Sequence, residues 1–279
     1  MRDLHPPEQE LRAAYTFIRN SPFPSIPDVV NKIAEEFSRP EPDLSRLIGL
    51  INSDIALAGL VLKSINSAGY GYENIESVQQ AVVLLGLNKV KNLVMASYVR
   101  HYLPTRSTFA KRIWEDSTEV ANLAVRIAAE LFDVPLDEAY IAGLMLDCGA
   151  IFVAERMLEK YDAVFQMRHE RPMSINRIED YRIGINHSAI GYLFARHWRL
   201  PERVCLAIYL HHGTSCEKID DAPLRSLLAV VKLADYLVMK VHTGIELDHS
   251  MEQIQHIARL KGELMIDSNE LAHLEQMLN

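Results

Sequence analysis

Apolar residues recur along nearly the whole chain at the three- and four-residue spacing that places them on one face of a helix. The segment 28–38 shows this spacing clearly, with apolar positions at Val29, Val30, Ile33, Ala34 and Phe37. No run of alternating β-branched residues is long enough to require a sheet. The pattern therefore predicts an all-α fold.

Capping and turn residues divide the chain into separate helices. Asp43, the pair Ser53 and Asp54, and Ser77 stand where helix N-caps are expected, and Pro135 stands in a first helical turn. Gly86 is expected to end a helix in the left-handed conformation, just before another helix begins. These signals predict short helices joined by tight turns in the first part of the chain.

Two further segments have distinct patterns. Three prolines predict extended backbone over 21–27. The helix 55–65 is apolar nearly all round, which predicts a place in the middle of a bundle. Later helices are predicted over 187–197, 201–211, 224–241, 251–259 and 269–277.

Composition argues against a disulfide-rich protein and against a membrane protein. The chain has 279 residues, and 49% of them are apolar, which is enough for one large helical core or two linked ones. Three scattered cysteines, without CxxC spacing, favour a reducing compartment over a disulfide framework. Because the uncharged apolar runs are short and the N-terminus is polar, we expect a cytoplasmic protein with no membrane partner.

The helix, turn and helix around Gly86 could be read as a DNA recognition element, since Lys89, Lys91 and Arg100 lie on the second helix. The same helix has an apolar face suited to core packing, however, and its basic residues suit a solvated surface. The net charge of −8 also opposes binding to a phosphate backbone. We do not expect a nucleic-acid partner.

Several blocks of sequence, in their order and spacing, resemble the signature blocks of the HDOD (HD-related output domain) family. They are Phe23–Pro27, Ile51–Leu57, Ile65–Gly71, Ala81–Leu87, Ala142–Gly149 and His187–Gly191. The resemblance covers roughly residues 21–241. It implies an N-terminal helical subdomain over 1–105 packed on an HD-like helical bundle over 106–279.

The resemblance also implies where the metal ligands of the related catalytic HD hydrolases would fall. Those enzymes use an initial His, a His-Asp pair, further histidines and a last Asp to hold a metal that activates water. The corresponding positions hold Asp116, Asp147, His187, His211 or His212, and Asp235. The pattern is incomplete, because Asp116 replaces the first His and Leu146, which has no lone pair for a metal, replaces the His of the pair. Residues 213–215 also lack the Gly-Tyr-Pro signature of the cyclic-dinucleotide phosphodiesterases.

Each candidate ligand also has an ordinary structural interpretation. Asp147 could be a buried hydrogen-bond acceptor, and His187 could make a capping contact just after Asn186. His211 and His212 stand at a predicted helix end, where the helix dipole favours a cationic histidine. Asp235 lies in an apolar helix and needs a partner, either a metal or one of these histidines.

The resemblance implies a non-catalytic bacterial signal-transduction module with a degenerate HD metal site. We expect it to bind another signalling protein in trans and to need no cofactor. One alternative is a residual metal-dependent phosphohydrolase that uses a divalent metal or iron. Another is a module that binds a nucleotide ligand without catalysis.

Overall fold

The computed structural model describes residues 4–19, 28–67, 75–102, 107–131, 134–213, 215–244, 250–276 and 278. Over these residues the chain is helical and contains no strand, which confirms the predicted fold class. The proline-rich segment 21–27, predicted to be extended, lies outside the described residues. The chain forms two compact units, one over Phe23–Leu103 and one that joins Met1–Pro22 to Pro104–Asn279.

The described residues of the unit over Phe23–Leu103 form five helices. They are α2 (Asp28–Phe37), α3 (Leu44–Asn52), α4 (Ile55–Ser67), α5 (Val78–Leu85) and α6 (Leu87–Tyr102). The predicted caps are confirmed, since Asp43, Asp54 and Ser77 each accept a hydrogen bond from a backbone N–H in the first helical turn. Gly86 has φ 82° and ψ 160°, so the predicted positive φ is confirmed but the left-handed helical conformation is wrong.

The prediction for α4 is wrong in one respect. Leu57, Val61 and Ile65 are buried, but Ile55 is 87% exposed, so only one face of the helix is covered. An all-round apolar sequence predicted burial on every side, whereas in this unit the neighbouring helices are too few to surround α4. No single described helix is long and apolar enough to cross a membrane; α3 and α4 pass that test only when joined across a 106° bend.

The other unit holds all the candidate site residues, and it contains the remaining helices. These helices are α1 (Glu8–Arg19), α7 (Thr108–Leu131), α8 (Leu136–Met145), α9 (Cys148–Gln166), α10 (Ile175–Ile183), α11 (His187–His197), α12 (Glu202–Leu210), α13 (Ala222–Thr243), α14 (Met251–Leu264) and α15 (Ser268–Gln276). Short 3₁₀ turns over Met167–His169 and Cys216–Lys218 connect some of them.

Helix α1 belongs to the unit that contains Pro104–Asn279, which we call the second unit. The predicted boundary instead placed α1 with the N-terminal subdomain over 1–105. Tyr209 donates a hydrogen bond to Glu10 at 3.0 Å, and His5 Nδ1 lies 2.9 Å from the hydroxyl of Tyr192. Helical periodicity shows that a segment has an apolar face but not which bundle covers that face. The first unit therefore begins after α1, near Phe23.

Helix α8 is the centre of the second unit, since all of its residues from Asp137 to Met145 are buried. A Cβ atom on Gly143 would lie 2.8 Å from Ala121 Cα, so a glycine is needed where α8 crosses α7. Cys148, Cys205 and Cys216 are free and buried. The last turn of α8 leads directly to Asp147, which starts the candidate site.

Candidate metal centre

Four candidate ligands converge in the core of the second unit. Asp147, His187, His211 and His212 each offer one ligand atom, and these atoms all lie within 4.8 Å of one another. Asp147 occupies the N-cap position of α9, His187 is the first residue of α11, and the two adjacent histidines follow α12. All four side chains are buried. We call this group the tetrad.

Hydrogen bonds fix the orientation of each histidine ring in the tetrad. His211 Nδ1 donates to the carbonyl oxygen of Ile208, and His212 Nδ1 donates to that of Pro172, both at 2.7 Å. His187 Nδ1 lies 2.7 Å from a carboxylate oxygen of Glu179. Each bond uses the nitrogen that faces away from the cluster and leaves Nε2 facing inward, which is the arrangement found in histidine ligands of metals.

Three of the inward-facing atoms have the spacing that a metal ion needs. Asp147 Oδ1 lies 3.3 Å from His187 Nε2 and 3.5 Å from His211 Nε2, and these two nitrogens are 3.3 Å apart. Two ligand atoms that are each about 2.1 Å from a tetrahedral ion lie about 3.4 Å apart. His212 Nε2 has no hydrogen-bond partner among the described residues. A buried polar atom without a partner is costly, so this nitrogen fits a metal ligand role.

A glycine allows the helices that carry the tetrad to approach one another. A Cβ atom on Gly149 would lie 1.9 Å from the carbonyl oxygen of His187 and 2.7 Å from the backbone nitrogen of Gly191. Any larger residue would push α9 away from α11. Gly149 therefore sets the short distance between Asp147 and His187.

Burial and neighbouring charges shift the pKa values of Asp147 and His187 in opposite directions. Burial alone would raise the pKa of Asp147, but His187, His211 and Arg168 lower it well below its usual range. Burial alone would lower the pKa of His187, but Glu179 and Asp147 raise it to about 10. Without a metal, the pair is therefore a carboxylate beside an imidazolium, and a metal would have to displace that proton.

The other two histidines of the tetrad are neutral. Burial lowers the pKa of His211, and burial together with the charges of His211 and His187 lowers that of His212 well below its usual range. A neutral imidazole that donates from Nδ1 carries a lone pair on Nε2, which is the form that binds a metal. The cationic capping role considered for this helix end is not supported.

The structure also has the contact that a structural role of Asp147 requires, whereas a capping role of His187 lacks it. Asp147 Oδ1 pairs with His187 Nε2 at 3.3 Å, so this ion pair joins the start of α9 to α11 even without a metal. The cap of α11 is made by Asn186, whose side chain accepts a hydrogen bond from the backbone of Ala189 at 2.8 Å. The ring of His187 instead points toward Glu179 and the tetrad.

The two remaining candidates, Asp116 and Asp235, do not join the tetrad. Asp116, on α7, lies 2.9 Å from His242 Nδ1 and 3.6 Å from Arg168 Nη2. Asp235, on α13, has a pKa that burial and the charge of Asp147 raise to about 7. Asp116 therefore lies beside Arg168, and the charges of Asp147, Arg168 and Asp116 act on Asp235.

Two residues that contact the tetrad were not among the sequence candidates. Glu179 is completely buried and contacts His187 twice, and Arg168 lies 3.9 Å from Asp147. Glu179 precedes His187 by eight residues, and Arg168 follows α9 in a 3₁₀ turn. No sequence spacing indicated either contact, because both depend on tertiary packing.

Comparison with known proteins agrees with this architecture. The profile of the HDOD domain matches residues 23–214. An uncharacterized protein of Treponema pallidum (strain Nichols) is 26% identical over 212 residues, and the uncharacterized protein YuxH of Bacillus subtilis (strain 168) is 34% identical over 64 residues. The matches cover 75% and 23% of this chain. They span only 41% of the Treponema protein and 16% of YuxH.

Solved structures share the fold at low sequence identity. A provisionally assigned phosphohydrolase of Shewanella amazonensis SB2B has a TM-score of 0.68 and 19% identity, with 95% of this chain and 93% of that chain covered. An HDOD domain protein of Geobacter sulfurreducens has a TM-score of 0.65 and 22% identity, with 97% of each chain covered. Because the domain profile matches more than half of the sequence, the chain belongs to the HDOD domain family.

Proposed function

We propose that this chain is a signal-transduction output module whose HD-like unit holds one divalent metal ion at the tetrad without acting as a catalyst. The convergence of three Nε2 atoms and Asp147 Oδ1 supports this proposal most directly. It retains the non-catalytic role expected from the resemblance and changes the expectation that no cofactor is needed.

The donor set indicates the class of metal. Three imidazole nitrogens and one carboxylate oxygen suit Zn²⁺, Fe²⁺, Mn²⁺ or Co²⁺, since these ions accept mixed nitrogen and oxygen ligands. Mg²⁺ and Ca²⁺ prefer ligand sets made of oxygen alone. His187, His211, His212 and Asp147 would hold the ion, and Glu179 would orient His187.

Two features argue for a structural or regulatory ion rather than a catalytic one. Four protein ligands are the number that completes a tetrahedral ion, whereas a catalytic site keeps a position open for water or substrate. Leu146 also precedes Asp147 where the related hydrolases have a histidine ligand, and its side chain is buried. The metal would therefore tie α9, α11 and the end of α12 together.

Thermal unfolding with and without metal tests the proposal. Added Zn²⁺ or Mn²⁺ should raise the Tm of the metal-free protein, because a ligand at 100 times its Kd stabilises the folded state by about 2.7 kcal/mol. Asp147→Asn should abolish the rise, and Asp116→Asn, outside the tetrad, should keep it. No rise in the wild-type protein, or an equal rise with Asp147→Asn, would count against the metal centre.

A second candidate function is a metal-dependent phosphohydrolase. A cavity of about 500 Å³ is lined by Arg168 and Asp116, and Arg168 also contacts the tetrad residue Asp147. A divalent ion could supply activated water, and the arginine could bind a phosphoryl oxygen. Two similar Shewanella structures are provisionally described as phosphohydrolases, one of them as metal-dependent.

Turnover assays separate the two candidates. The hydrolase candidate predicts metal-dependent release of phosphate from nucleotides, cyclic dinucleotides or a chromogenic phosphoester, with loss of activity in Asp147→Asn. The non-catalytic proposal predicts no release above a protein-free control with any of the four metals. Thermal stabilisation by a nucleotide without turnover would instead support the nucleotide-sensing alternative.

The output of the module, in our proposal, is contact with another signalling protein. A similar structure from Marinobacter aquaeolei VT8 is provisionally described as a signal transduction protein, and this chain covers 62% of it. Because the tetrad is buried, its residues would support the shape of the unit rather than touch the partner.

A further inference from the structure

Arg168 is a buried cation beside the tetrad. Its side chain is 7% exposed, and its guanidinium carbon lies 4.0 Å from the centre of the Phe165 ring. Nη2 is 3.6 Å from Asp116 Oδ2, and Nε is 3.9 Å from Asp147 Oδ2. Nε and Nη1 have no hydrogen-bond partner among the described residues. An arginine keeps its charge when buried, so these contacts are electrostatic.

The two oxygens of Asp147 face different neighbours. Oδ1 faces His187 and His211 in the tetrad, and Oδ2 faces Arg168. A carboxylate placed in this way can bridge two cations, as carboxylates do in two-metal sites whose ions are about 3.5–4 Å apart. In this chain one of the two positions next to Asp147 is occupied by a guanidinium.

We infer that the Arg168 guanidinium is a resident cation that takes the place of a second metal ion beside Asp147, and so limits the site to the single ion of the tetrad. The inference rests on the proposed metal centre. According to this inference, Arg168 sets how many metal ions the site binds, because it lies between the carboxylates of Asp116 and Asp147.

The carboxylates around Arg168 would otherwise suit a hard divalent cation. Asp116 Oδ1 is bound by His242 Nδ1 at 2.9 Å, which leaves Oδ2 directed at the guanidinium. Asp235 lies close enough for the charges of Asp147, Arg168 and Asp116 to act on it. Oxygen ligands of this kind bind Mn²⁺, Mg²⁺ and Ca²⁺. Without Arg168, these carboxylates would lose one compensating positive charge, which favours uptake of a cation.

The cavity next to Arg168 offers a route for such a cation. It has a volume of about 500 Å³, and its lining includes Asp116, Arg168 and His242. Arg112 lines the same cavity, pairs with Asp162 at 2.9 Å and lies over the Phe109 ring. Like Arg168, Arg112 is an arginine that lines this cavity and contacts an aromatic ring, but among the described residues it forms no ion pair with Asp147. Arg112 is therefore a matched control for Arg168.

Counting metal ions by native mass spectrometry after loading with Mn²⁺ tests the inference. The wild-type protein should hold one ion per chain, and Arg168→Met, which keeps an unbranched apolar side chain but removes the guanidinium and its charge, should hold two. Arg168→Lys, which keeps the charge, should hold one, and so should the matched control Arg112→Met. A folded Arg168→Met variant that holds no more ions than the wild-type protein, or a wild-type protein with two, would overturn the inference.

Two further outcomes are also decisive. If Arg168→Met is unfolded without metal, excess Mn²⁺ should restore its circular dichroism with two ions per chain, and failure to restore it would overturn the inference. If the wild-type protein binds no ion, the proposed tetrad centre fails. One ion in Arg168→Met alone would then still support the role of Arg168, and none in either protein would contradict both.

Discussion

At the scale of single residues, Glu179 explains how the tetrad is kept in place. Its carboxylate accepts hydrogen bonds from the hydroxyl of Tyr161 and the backbone N–H of His187, both at 2.8 Å, and lies 2.7 Å from His187 Nδ1. These contacts fix both the ring and the backbone of one ligand. A partner of this kind behind a histidine ligand commonly controls metal affinity.

Replacing Glu179 with Gln should therefore weaken metal binding without removing a ligand. We expect the affinity for Zn²⁺ to fall about 10- to 100-fold, because the neutral amide orients and polarises His187 less strongly. Competition against a chelator of known affinity measures this change. Glu138→Gln, at a buried glutamate that pairs with Arg203, is the control and should leave the affinity unchanged. Equal affinities for all three proteins would contradict the role of Glu179.

At the scale of helices, the site depends on the close approach of α9 and α11. The sequence Asp147-Cys148-Gly149 places a ligand at the start of α9 and a glycine two residues later, where α9 contacts α11. The hypothetical Cβ of Gly149 would meet backbone atoms, which cannot move aside as a flexible side chain would. Packed interiors tolerate such overlap poorly.

Gly149→Ala should accordingly be strongly destabilising. We expect a loss of about 3 kcal/mol or more in the free energy of unfolding, because α9 must shift away from His187. Gly59→Ala is the control, since a Cβ atom there meets nothing within 4 Å and alanine favours a helix interior by up to about 1 kcal/mol. Urea denaturation compares the two variants. A Gly149→Ala protein as stable as the wild type would show that the helices do not need this approach.

At the scale of the whole molecule, buried neutral histidines make stability depend on pH. His256 on α14 is buried, and burial together with the charges of Lys232 and Arg259 lowers its pKa to about 3. An unfolded histidine has a pKa of about 6.5. Between these values the unfolded chain binds a proton that the folded chain does not, so stability falls as the pH falls from about 6.5 towards 3.

His256→Gln should reduce this loss of stability in acid. The contribution of one such histidine is about 1.4 kcal/mol per pH unit below its unfolded pKa. Urea denaturation at several pH values between 7 and 5 should show a shallower slope for His256→Gln than for the wild type. The exposed His273→Gln should keep the wild-type slope. Identical slopes for all three proteins would contradict the assignment of this pH dependence to His256.

Much of this architecture could be predicted from the sequence because it is encoded locally. Asp43, Asp54 and Ser77 cap helices through hydrogen bonds that span only three residues. The tetrad positions followed from the family pattern, and the structure brings four of the six candidates together. Whether these four bind a metal remains a prediction.

Features that depend on distant contacts could not be predicted. Arg168 and Glu179 meet the tetrad only after α9 and α10 have packed, and neither residue belongs to a spacing pattern. The apolar character of α4 did not reveal how many neighbours would cover it. The amphipathic pattern of α1 likewise did not show that it joins the second unit, because periodicity describes a face and not its partner.

The metal content of the purified protein is the most direct test of the metal centre. Elemental analysis of untagged protein, prepared without chelators, should find close to one transition-metal ion per chain, and His211→Gln should lose it. The Asp235→Asn control should retain the ion, because Asp235 lies outside the tetrad. A folded, metal-free wild-type protein that takes up no metal when it is supplied, or full metal retention in His211→Gln, would contradict the account.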